Sequence, residues 1–129
     1  MSIHPDKRLA ALFGVVCLAF VLSAGYFLWG YCWLSIQTSF ADDQTMIFED
    51  MRTQALGSNS AVEVAASLEY VVNYYPSGSK LPTGSILDRI VERCRYTIER
   101  EIIAHLRRLT AQNLGNDPKV WIQEFGRKR

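Results

Sequence analysis

Histidine, cysteine and proline are scarce in this 129-residue chain, with two, three and four copies respectively. His4 and His105 stand a hundred positions apart with no ligand cluster around either, so a zinc site within one chain is excluded. Cys17 and Cys32 fall in an apolar run and Cys94 in a later amphipathic segment, which leaves no pair placed for a structural disulfide. Net charge is also close to absent, at +1, and this argues against a dedicated polyanion binder. The length leaves no room for a two-lobed catalytic architecture.

Charge is missing altogether from one stretch: no ionisable Asp, Glu, Lys or Arg occurs in the 33 residues between Arg8 and Asp42. Within it, 23 of the 28 residues at positions 9–36 are hydrophobic. About 20 residues at about 1.5 Å each cross the hydrocarbon of a bilayer, so this run is long enough to span one. A soluble domain of this size could not surround such a helix on every side. A cleaved secretory signal is the competing reading, because Lys7 and Arg8 precede the run and Ser39-Phe40-Ala41 has small-x-small spacing. The apolar core of a signal is about 7 to 15 residues, and this one is longer. It also gathers Tyr26, Phe27, Trp29, Tyr31 and Trp33 in its last third, as an interfacial aromatic belt does. We therefore expect an uncleaved signal anchor. Lys7 and Arg8 lie before it and Asp42, Asp43, Glu49 and Asp50 after it, so the expected organisation is a cytoplasmic N-terminus at 1–8, a transmembrane helix at 9–36 and an extracytoplasmic domain at 37–129. The localisation implied is the plasma, or inner, membrane with a single pass. Ala10 with Gly14 and Ala19 with Ser23 have the spacing of close helix pairs, but that spacing is common by chance and lipid-facing filler is the better reading.

Beyond the span the expected fold is all-α, a small bundle of three helices plus a short C-terminal helix. Ile47, Phe48, Met51 and Ala55 recur at helical steps over 43–56, and Gly57 is expected to cap that helix in the left-handed conformation. The helix either continues the membrane segment or breaks near 38–42. Ser60-Ala61-Val62-Glu63 has the form of a capping box, followed on one face by Val64, Ala65, Leu68, Val71, Val72 and Tyr75, with Pro76 as the stop. A turn-rich connector covers 76–84. Ser85, three positions before Asp88, is expected to cap the longest helix, over 86–109. Its apolar stripe is Leu87, Ile90, Val91, Cys94, Ile98, Ile102, Leu106 and Leu109, opposite an arginine-rich face in which Arg95 and Glu99 are suitably spaced. Asp117 and Pro118 then open a short helix bearing Val120, Trp121, Ile122 and Phe125. Residues 42–69 carry a net charge of −5 and residues 80–129 one of +5, so antiparallel packing brings opposite charges together.

Motifs with chemistry are weak. Ser77-Gly78-Ser79-Lys80 has the Ser-x-x-Lys form of penicillin-recognising acyl-enzymes, yet Pro76, Gly78 and Pro82 prevent the helix that pattern needs, and no Ser-Asp-Asn or Lys-Thr-Gly follows. Leu81-Pro82-Thr83-Gly84 lacks the extra residue and the hydrophobic tail of a sortase signal. His105, four positions after Glu101, reads as half of an ion pair on a helix flank rather than as a general base. The basic helix is interrupted by acids, so no nucleic-acid surface is expected. The terminal Arg127-Lys128-Arg129 suits an unstructured end or a contact with anionic lipid. No catalytic, cofactor-binding or metal residue is assigned.

At Tyr74-Tyr75-Pro76-Ser77-Gly78-Ser79-Lys80, Leu87-Asp88-Arg89-Ile90-Val91-Glu92 and Leu114-Gly115-Asn116-Asp117-Pro118 with Trp121-Ile122, the chain resembles a group of small membrane-anchored or secreted helical proteins of planctomycete-type bacteria. Its tail, with Leu109-Thr110, Gln112, Gly115, Asp117 and Trp121, is similar to a segment that closes some HEAT-like repeat proteins, with Ala111 and Asn113 in place of the usual glycine and aspartate. The resemblance covers residues 70–125 and implies an envelope protein without an assigned activity. The function expected is a non-enzymatic interaction or structural module of the cell envelope. The alternatives are a soluble binding domain released after Ala41 and a small envelope enzyme built on the 74–85 connector. The expected partners are the lipid bilayer and either another envelope protein or a second copy. Tyr74, Tyr75, Lys80 and Trp121 are the candidate contacts, since aromatics and a lysine near a loop suit partner binding. Core packing is the competing role for Tyr75 and Trp121.

Overall fold

A computed structural model describes residues 7–75 and 78–126. His4, Pro76, Ser77 and Arg127-Lys128-Arg129 lie outside the described residues, and with them the histidine, proline-stop, serine and basic-tail readings given above. The described chain is all-helical: α1 (Lys7–Gly57), α2 (Ala61–Tyr74), α3 (Ile86–Thr110) and α4 (Pro118–Phe125). It divides into two compact units after Ile36, with α1 contributing to both.

In the first unit every described residue through Ile36 is exposed, and the sequence there is long and apolar enough to cross a membrane. Phe20, Tyr26 and Trp29 each leave about three-quarters of their surface uncovered. Of the two alternatives at 38–42, the chain takes the continuous one: α1 has no break there.

The second unit is a bundle whose core joins Phe48 and Ala55 of α1, Val64, Leu68 and Val71 of α2, Val91, Ile98, Ile102 and Leu106 of α3, and Trp121 of α4. Each large side chain removed from water stabilises the fold by roughly 1.5 to 3 kcal/mol, which makes this stripe-on-stripe packing the main source of stability. On α3 the stripe differs from the expected one at two positions. Ile90 is 52% exposed and Ile103 only 2%, because the helix is covered on the side facing α2 and α4 and open on the other.

The expected caps form at two helix starts, and the structure departs from expectation at one start and one end. Ser85 Oγ accepts from the Asp88 amide at 3.2 Å, and Asp117 Oδ1 accepts from the Lys119 amide at 2.9 Å, with Pro118 inside the first turn. Ser60 is the N-cap of α2, yet its side chain makes no capping bond. Ser58 takes over: its hydroxyl accepts from the Ser60 amide at 3.1 Å and donates to Glu63 at 2.7 Å, so the glutamate reaches the helix start through a relay. Gly57 is not left-handed either. It is the last residue of α1, and Ser58 closes the turn by donating its amide to Ala55 O at 3.3 Å. The left-handed end belongs to α3, where Ala111 has φ 56°.

Two glycines have conformations that position neighbouring side chains. Gly84, at φ +76°, donates its amide to Asp88 at 2.8 Å. Gly115, at φ +86°, turns its carbonyl toward both Trp121 Nε1 at 2.9 Å and Arg107 at 2.7 Å, which pins the α3–α4 loop to the bundle.

Candidate functional site

The four candidate contact residues separate into two pairs. Tyr75 and Trp121 are core residues, 1% and 0% exposed. Tyr75 donates its hydroxyl to Asp88 Oδ1 at 3.0 Å, and burial together with that carboxylate pushes the phenol up to about 12. Trp121 stacks on Phe125 with ring centres 6.0 Å apart. Neither presents a side chain at the surface. Tyr74 and Lys80 are closer to solvent, one half-buried and the other exposed. Tyr74 stacks on Tyr70 at 4.9 Å, and the Lys80 ammonium lies 5.8 Å from the Tyr74 ring centre. This small aromatic platform includes Tyr70, which sequence reasoning missed although it is one helical turn before Tyr74.

The larger surface feature lies elsewhere, in a groove of about 680 Å³ between the end of α1 and the first half of α3. Arg52 and Glu101 face each other across it, and Ile86, Arg89, Ile90 and Arg93 form its outer wall. Arg52 bonds Glu101 and also pairs with Glu49 at 3.0 Å, and these carboxylates raise its already high pKa. Ile86 and Ile90 remain 69% and 52% exposed, an apolar pair one turn apart with Arg89 and Arg93 alongside. Arg89 and Arg93 enter no ion pair among the described residues. Cys94 also lines the groove; burial, with a contribution from Glu49, pushes its thiol up, which keeps it protonated and poorly nucleophilic.

The expected Glu101–His105 pair does not form. Glu101 is taken by Arg52, and the ring Nε2 of His105 lies 2.9 Å from the Ser58 carbonyl at the end of α1. Arg95 sits between Glu92 and Glu99, 3.9 Å from the latter, and also donates to the Val72 carbonyl at 3.2 Å. Burial pushes Glu99 above the usual carboxylate range, and Glu92 adds to this while Arg95 opposes it. These polar groups brace helices against one another. Among the described residues no cluster of three or more His, Cys, Asp or Glu could hold a metal, and all three cysteines are free.

Lys80 lies in a turn outside any helix, a setting unlike the helical lysine of a Ser-x-x-Lys enzyme. Among the described residues, neither the groove nor the tyrosine platform brings a nucleophile, a base and an oxyanion donor together. No protein-family model matches the chain, and neither a curated protein nor a solved structure does.

Proposed function

We propose that this chain is a membrane-anchored, non-enzymatic interaction module, held by an uncleaved helix over residues 9–36 with the N-terminus in the cytoplasm and the bundle outside. The observation that carries the reading is the contrast along α1. The described residues from Lys7 to Ile36 bury nothing and carry no charge after Arg8, whereas Ala41, Gln44, Phe48 and Ala55 of the same helix are buried in the bundle. Water would not tolerate the first part, and a bilayer would cover it. The acidic residues after the span and the basic pair before it support the orientation. The bundle adds an open groove that combines exposed isoleucines with charged side chains, a mixture suited to docking.

The reading is tested in cells that express the full chain with a C-terminal tag. The tag should stay with membranes after alkaline washing, and external protease should remove it from spheroplasts without lysis. A tag released in soluble form would favour the secreted alternative, and one protected until lysis would reverse the topology.

A further inference from the structure

The outward face of α1 has the opposite character to the groove. Ala41, Gln44, Phe48 and Ala55 define its buried side. At about 100° per residue, Asp42, Met46 and Asp50 fall on the far side in one stripe, each four positions from the next. Met46 is 60% exposed, and Asp42 and Asp50 enter no ion pair among the described residues. A methionine flanked by two aspartates is thus matched by the opposite combination on α3, the exposed Ile86 and Ile90 beside Arg89 and Arg93. Met46 stays 60% exposed, so the stripe does not cover its own chain's groove.

We propose that the groove is a self-association site, which receives the Asp42-Met46-Asp50 stripe of a second copy while giving its own stripe to that copy's groove. Complementary charge selects this occupant: Arg89 and Arg93, the lining arginines in no ion pair among the described residues, meet an anionic stripe, and the exposed isoleucines meet a flexible thioether. A two-fold axis makes the contact twice, with the same patches used on both chains. The inference rests on the membrane-anchor reading in one respect, because two copies confined to one bilayer meet at a raised effective concentration.

The test uses two differently tagged full-length chains, co-expressed, each with Cys17, Cys32 and Cys94 replaced by alanine. One carries Met46→Cys and the other Ile90→Cys, so a disulfide between the tags forms only between copies. Mild oxidation of membranes should give the mixed dimer. Arg89→Glu with Arg93→Glu in both chains should lower its yield by about tenfold or more, since like charges then face each other. Adding Asp42→Arg and Asp50→Arg to the same chains should restore it to within about twofold. Unchanged helicity in the membrane-bound variants ensures that loss of the dimer reports on the contact. No mixed dimer from chains that remain in the membrane would overturn self-association and leave the anchor reading intact, as would a yield indifferent to charge reversal or not restored by the swap. Salt-sensitive binding of the unmodified groove to anionic vesicles, without any dimer, would assign the arginines to lipid instead. Recovery of the chains in the soluble fraction would be a failure of the anchor reading itself.

Discussion

Arg52 near the end of α1 donates to the carboxylate of Glu101 on α3, 49 positions later, and in doing so bridges the groove between the two helices. Both side chains stay more than a third exposed. Solvent screens a pair of this kind, so its effect on stability is small. Arg52→Met should lower the thermal midpoint only slightly, and the difference should shrink as salt is raised. The larger consequence should be a loosened groove, detectable as faster amide exchange at the end of α1.

Tyr75 and Asp88 form the buried polar link between the end of α2 and the start of α3. Tyr75→Phe removes a hydrogen bond to a carboxylate that keeps its bond to the Gly84 amide, and should cost about 1 to 2 kcal/mol in chemical denaturation. The phenol has its pKa raised from 10.0 to about 12, so the neutral form is favoured in the folded state. The unfolded chain therefore loses this proton first. Its contribution is fully present below pH 10 and is lost as pH rises toward 12. A pH titration of stability should show this alkaline fall in the parent and a smaller one in Tyr75→Phe.

Trp121 is the largest fully buried side chain and holds the short α4 to the bundle. Trp121→Ala should cost about 3 to 5 kcal/mol, enough to unfold a domain of this size at moderate temperature. Trp121→Phe retains most of the packing and loses the bond to the Gly115 carbonyl, so about 1 to 2 kcal/mol is expected. Circular dichroism melts of the two variants would separate packing from hydrogen bonding.

Gln44 is 2% exposed, and its Oε1 has no hydrogen-bond partner among the described residues. An unsatisfied buried acceptor is costly, whereas methionine fills similar space without that atom. Gln44→Met should raise stability by about 1 kcal/mol, measured as a shift in denaturation midpoint at unchanged slope. A loss of stability would show that Gln44 has a partner in the membrane-bound protein.

Much of the bundle was legible because apolar spacing and short-range caps act locally. Ser85 with Asp88 and Asp117 with Pro118 mark helix starts through residues at most three positions apart. The failures have a common physical origin in contacts that span the chain. Nothing near His105 shows that its ring will meet Ser58, and nothing near Glu101 shows that Arg52 will claim it. Ser60-x-x-Glu63 reads as a direct box, and only the turn after Gly57 brings Ser58 between the two. Ile90 fits the α3 stripe by spacing; its exposure depends on where α1 leaves the groove open. The candidate contacts were half legible for the same reason, since an aromatic beside a loop serves the core at Tyr75 and the surface at Tyr74.

The uncleaved anchor is the claim on which the functional account turns, and the intact mass of the mature chain recovered from alkaline-washed membranes tests it most directly. The account predicts a polypeptide in the membrane fraction whose mass still includes residues 9–41. A soluble chain beginning at Asp42 would contradict it.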